Sequence, residues 1–274
     1  DILNLRPANT KFSFINSTTK QMLGASQVVT HCDGDIAFFN DCSLNNLPSS
    51  QHIIAYGEAL CGPIASKVSL PGSGFYRMWT DQKDGLNLIA RCGRLGPDHQ
   101  MGHVHNDLLS FELCLGNDRI FVNSGTSTYH QQPTRSDERA EQAHNTVCIS
   151  SAAQSQPWSC FRVAQRSSGG RNTSFEHDLK RSSLSSTVSL ISRTRIQHRR
   201  EWRLVKNNLE IEDRISGNAS NAVARFILAS DLCGSLERVE DTVLRIRLLD
   251  GRKLVLEFTS PAEILDGVAS RYFN

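Results

Sequence analysis

The chain has no apolar run long enough to cross a bilayer, no C-x-x-C pair, no tract of basic residues and no internal repeat. The first absence excludes a membrane-spanning helix. The eight cysteines are scattered singly, so they form no thiolate cluster of the kind that holds structural zinc. They read as small buried hydrophobes of a reducing compartment, although an even count leaves disulfides open. Thirty Lys and Arg against twenty-eight Asp and Glu leave a formal charge of +2, and without a basic stretch the composition excludes an electrostatic nucleic-acid binder. No charged-then-apolar leader is legible, and the opening DILNLRPANT reads as mid-sequence, so the compartment stays open between periplasm and cytoplasm.

What is present is β-strand grammar. From about residue 66 apolar and polar residues alternate in short runs, among them GFYRMWT, LNLIARCG, LLSFELCLG and DRIFVNSG, separated by Gly, Asn and Asp. Asn207–Asn208 and Asp250–Gly251 mark two hairpins. Some ten strands at this spacing predict a two-layer antiparallel β-sandwich over 66–274. Residues 1–65 differ. There Ser50 can cap a helix that carries Ile53, Ile54 and Leu60 inward and stops at Gly62. One short helix is not a domain, so the segment is expected to pack on something larger. A second, charged helical candidate, PTRSDERAEQAHN at 133–145, interrupts the strands.

Histidines carry the chemical signal. In GHVHND a strand would point His103 and His105 to one face, with Val104 on the other, and two imidazoles on one face make a corner for zinc. His144, heading HNTV, is available to join them. In HRRE, at 198–201, the residues read as the solvent face of a strand that alternates against Trp202 and Leu204. Trp158, in QPWSCF, either closes a core edge or stacks on a sugar ring.

Taken in order, GHVHNDLLSFEL, VNSGTSTY, RSDERAEQAHNTVCI and QSQPWSCFRVAQR resemble the signature run of the heparinase II/III-like β-sandwich domain of bacterial polysaccharide lyases. DGDIAFFND and HRREWRLVKNNLEIEDRI resemble its flanking segments, so the likeness spans roughly residues 35–230. In that family the sandwich follows an α/α toroid, and acidic polysaccharides lie in the cleft between them. The resemblance implies that 1–65 is the short helical segment left from a toroid, with a partner toroid or homo-oligomer completing the cleft. It implies β-elimination from an acidic, uronate-containing polysaccharide; a non-catalytic glycan-binding or structural module of an exopolysaccharide system is the alternative reading. It implies Zn2+ on His105, His144 and position 123, and it places His103 and Tyr129 in the catalytic cleft. Position 123 departs from the family: VNSGT has Asn123 where the family has aspartate, and a neutral amide oxygen is a poorer partner for a divalent cation.

Three further residues are candidates for substrate contact. Arg135 and Arg139, four apart on the helical interruption, can grip carboxylate or sulfate groups, unless they pair with Asp137, Glu138 and Glu141 on a solvated turn. Asn145 is the third, and with Asp107 and Glu112 it can instead orient the histidines. The bland reading of Tyr129, in its Thr/Ser/Gln-rich loop, is a packed ring with a wetted hydroxyl.

Overall fold

The computed structural model describes residues 13–43 and 48–265. Two helices come first, α1 (Ser13–Val28) and α2 (Ser50–Cys61). Ser49, one residue before the expected cap, accepts from the His52 amide, and Gly62 ends α2 at φ 81°, a backbone state that glycine takes without strain. The buried face of α2 is Gly57 and Cys61 rather than the isoleucines, and Ile53 is 42% exposed. The reason is steric. A Cβ at position 57 would lie 2.2 Å from a Leu23 methyl, so glycine alone lets the two helices approach.

The body is mostly β. A meander of five antiparallel strands, β1 (Ser69–Leu70), β2 (Phe75–Trp79), β3 (Leu86–Arg91), β4 (Ser110–Leu115) and β5 (Asp118–Phe121), makes the first layer. The chain then forms α3 (Pro133–Arg139), a 3-10 turn at Glu141–Ala143, β6 (Val147–Ile149), and the hairpin β7 (Ser155–Ser159) to β8 (Arg162–Arg166). The second layer is β9 (Ser168–His177), β10 (Arg181–Ser189), β11 (Gln197–Val205) and β12 (Asn208–Ser216). Its β11–β12 hairpin turns at Lys206–Asn207, one residue earlier than expected, with Lys206 at φ 53°. After β13 (Ala222–Ala224), which pairs with β6, a three-stranded sheet follows: β14 (Leu236–Glu240), β15 (Val243–Arg247) and β16 (Lys253–Glu257).

The predicted antiparallel sandwich is therefore the observed fold. Leu88, Phe111, Leu113 and Ile120 of the first layer share one core with Leu184, Val188, Trp202 and Leu204 of the second. β3 and β4 are buried on both faces, because residues 29–43 cover the side turned away from the second layer. There Ala37 and Phe39 pack on Ile89, and Glu112, opposite Ile89 in register, accepts from His31 Nε2 at 2.9 Å and the Phe38 amide at 2.8 Å.

One strand face differs from its reading in the sequence. His198 and Arg200 are buried on the same face of β11 as Trp202 and Leu204, not on a solvent face. Asp213, across the β11–β12 pair, accepts from both, which satisfies the buried charge. No helix of the described residues is long and apolar enough to cross a membrane.

Candidate active site

His103 and His105 do not lie on a strand. Residues 102–107 form a loop whose backbone is held by side chains instead of a ladder: the His105 amide donates to Asn40 Oδ1 at 3.1 Å, and the Val104 carbonyl accepts from Arg139 Nε at 2.8 Å. The period-two pattern begins only at Ser110. The two rings nevertheless converge, because both reach one carboxylate.

That carboxylate is Asp41. Asn40, at φ 54°, a region asparagine tolerates, turns the chain inward, and its amide donates to Asp107 Oδ2 at 3.2 Å. Asp41 Oδ2 then lies 2.7 Å from His103 Nδ1 and Oδ1 lies 2.8 Å from His105 Nε2. Thr126 Oγ1 donates to Oδ1 at 3.0 Å, and Arg135 grips both oxygens, at 2.5 and 2.8 Å. The Tyr129 hydroxyl bonds to the same group. Burial alone would raise the Asp41 pKa, but hydrogen bonds from His105 and Arg135 overcome this and hold it well below the usual carboxylate range. An ionised carboxylate only accepts, so His103 donates through Nδ1, and in its neutral form the lone pair is on Nε2.

Asp41 and Arg135 are buried, while His103 and Tyr129 open to solvent, their side chain and residue being 53% and 45% exposed. The two rings meet edge-on with centroids 5.8 Å apart. Burial, reinforced by repulsion from Asp41, pushes the Tyr129 pKa up, so the phenol stays protonated.

The other imidazoles lie below. His105 and His144 are fully buried, with centroids 5.4 Å apart. Burial lowers the His105 pKa to about 4 against the pull of Asp41; burial, then His105 and Arg91, hold that of His144 well below the ordinary imidazole range against the Glu138 carbonyl. His105 Nδ1 and His144 Nε2 have no hydrogen-bond partner. Two imidazoles sharing a tetrahedral zinc, with nitrogens about 2.0–2.1 Å from the metal, place their centroids roughly 5 Å apart, a separation close to that of this pair. The three-residue set does not suit a metal. Asn123 Oδ1 accepts from Ser110 Oγ at 2.7 Å and lies 3.2 Å from His144 Nδ1, while its Nδ2 donates to Glu112 Oε1 at 3.3 Å. The amide is thus occupied as a buttress. Among the described residues no group of three or more His, Cys, Asp or Glu could hold a metal ion.

The arginines turn inward rather than standing on a solvated turn. Arg135 contacts Asp41, Thr126 and the Gly102 carbonyl, and lies 5.3 Å from the ring centroids of Tyr129 and of Phe161, at the tip of the β7–β8 hairpin. Arg139 donates to the carbonyls of Met101, Val104, Ser159 and Cys160, tying the histidine loop to that hairpin. Asn145 is fully buried; its amide bonds the carbonyls of Phe111 and Val122 and accepts from the Ile227 amide. Asp107 pairs with Arg91, and Glu112 bonds the Asn123 amide at 3.0 Å, so both support the site from beneath.

The sandwich thus gathers three histidines, a tyrosine and a carboxylate at one edge. Residues 64–274 match the heparinase II/III-like C-terminal family, and the chain belongs to that family. Among solved structures it resembles a heparan sulfate lyase, HepC, from Pedobacter heparinus (TM-score 0.66, 16% identity, 87% of this chain and 38% of that one). It also resembles a heparinase III gene product (TM-score 0.65, 17% identity, 87% and 38%) and a further heparinase III (0.63, 15%, 90% and 41%). At these identities the likeness is one of fold, and the chain spans about two-fifths of the length of each structure. No protein of curated function matches it in sequence.

Asp41 was missed from the sequence, and it lies outside the matched residues. The only legible signal was its place in DGDIAFFND, one of the family-like flanks.

Proposed function

We propose that this chain is the sandwich part of a lyase that cleaves an acidic, uronate-containing polysaccharide by β-elimination. The observation that carries the reading is the exposed, edge-on pair His103 and Tyr129 over one buried carboxylate. His103 Nε2 takes the C5 proton, the electron pair forms the C4–C5 double bond, and the C4–O bond breaks. Tyr129, kept protonated by burial, gives its proton to the leaving oxygen. The carbanion next to the carboxylate needs that carboxylate neutralised. Arg135 and Arg139 spend their donors inside the protein, so the neutralising group would come from a neighbouring toroid or a second copy.

Heparan sulfate and alginate, incubated with the purified chain, should develop the ultraviolet absorbance of an unsaturated uronate, and His103→Ala should abolish it. Glycan binding without that absorbance would instead favour a non-catalytic recognition module.

A further inference from the structure

The site takes a decisive group from residues that precede the family-matched sandwich. We propose that Asp41 is a positioning residue: it fixes the tautomer of His103, and so decides which ring nitrogen faces the cleft. The inference deepens the proposed lyase reading, in which that nitrogen is the base.

Each oxygen of Asp41 has its own set of donors. Oδ1 faces His105 Nε2, Thr126 Oγ1 and Arg135 Nη1, whereas Oδ2 faces His103 Nδ1 and Arg135 Nη2, and the Tyr129 hydroxyl also bonds this carboxylate. With an acceptor opposite Nδ1, the half-exposed His103 ring carries its proton on the buried side and presents Nε2 outward as a lone pair. Without it, nothing else that His103 is seen to contact discriminates between its two nitrogens; its edge-on packing against Tyr129 suits either tautomer. Arg135, Thr126 and His105 in turn lock the carboxylate, so the positioning group is itself held rigid.

An amide makes this testable. In Asp41→Asn, an amide whose oxygen stays at the Oδ1 position to serve His105, Thr126 and Arg135 Nη1 turns its NH2 toward His103 Nδ1. Nδ1 must then accept, the proton moves to Nε2, and the outward lone pair is lost. Nitrogen-15 NMR of the neutral His103 ring, in the chain labelled at histidine, should report protonated Nδ1 in the wild type and protonated Nε2 in Asp41→Asn. Asp41→Ala, if it folds, should lose the Nδ1–H preference. If the lyase reading holds, Asp41→Asn also lowers turnover by about 10²–10⁴-fold, the span of a lost general base, with substrate affinity little changed. An unchanged His103 tautomer in folded Asp41→Asn, or an Nε2–H ring in the wild type, would overturn the proposal. The NMR result stands even if no polymer is cleaved, so failure of the lyase reading and failure of Asp41 are separable.

Discussion

Arg135 covers the ring of Tyr129, with its guanidinium carbon 5.3 Å from the centroid, while the same guanidinium holds both oxygens of Asp41. One buried cation thus supports the phenol and neutralises the carboxylate below it. Removing one partner of such a pair strands the other charge away from water, a loss of about 3–5 kcal/mol. Arg135→Met should lower the unfolding free energy by that amount in urea titration, and Arg135→Lys by less, since a single ammonium cannot bridge two oxygens. A loss below about 1 kcal/mol in Arg135→Met would mean that Asp41 is neutralised by other groups.

Asn123 explains itself through Glu112. A carboxylate at position 123 would sit where Nδ2 now donates to Glu112 Oε1 at 3.3 Å, placing two buried acids side by side. Asn123→Asp should therefore lower the melting temperature in a chelator. Zinc should then restore it, because His105 Nδ1 and His144 Nε2 are the nitrogens without a hydrogen-bond partner and the new carboxylate, once turned away from His144 Nδ1, supplies negative charge. Elemental analysis should find more zinc retained by Asn123→Asp than by the wild type. A variant that loses stability and ignores zinc would show that the two imidazoles do not share a metal.

The sandwich was legible because its signal is periodic: β10 and β11 write the core face in alternation, and Asp250–Gly251 and the Asn207 region mark turns. The same rule misplaced the histidines. His103 and His105 obey period two by accident, in a loop fixed by Arg139 and Asn40, and no local pattern reports a backbone bonded to distant side chains. Nor did it place Arg200, a polar residue on a core face, whose partner Asp213 lies 13 positions on. Asp41 shows the same limit. Its neighbours in space come from residues 103, 105, 126, 129 and 135, contacts that only the fold assembles.

Glu141 should make stability depend on pH in a way that substitution can isolate. Burial raises its pKa to about 7, opposed by the hydrogen bond from the Gln154 amide, so the folded chain binds a proton that the unfolded chain has released between about pH 4.5 and 7. Stability from this group is therefore lost as pH rises through that window, on the order of 2–3 kcal/mol after allowing for partial exposure. His105, neutral in the fold down to about pH 4, acts oppositely, because the unfolded chain gains the proton. The two effects mask each other. Glu141→Gln keeps the oxygen for Gln154 and removes only the titration, so its urea midpoint should match the wild type near pH 4.5 and exceed it at pH 8. An equal difference at both values would show an ordinary carboxylate.

Two tryptophans should separate stability from recognition. Trp202 is fully buried among the core residues of both layers, whereas Trp158, on the hairpin that Arg139 ties to the histidine loop, is 74% exposed. Trp202→Ala should cost about 3–5 kcal/mol, from lost burial and the cavity left behind. Trp158→Ala should change stability by no more than about 0.5 kcal/mol. Under the proposed function, the exposed indole, on the hairpin whose tip residue Phe161 lies 6.5 Å from the Tyr129 ring, is the surface on which a sugar ring stacks. Heparan sulfate oligosaccharides should then quench the solvent-exposed part of the tryptophan fluorescence. In Trp158→Ala that quench should vanish and affinity fall by about five- to tenfold, which corresponds to roughly 1–1.4 kcal/mol. Full affinity in Trp158→Ala would move the sugar-binding surface off the hairpin while leaving His103 and Tyr129 untouched.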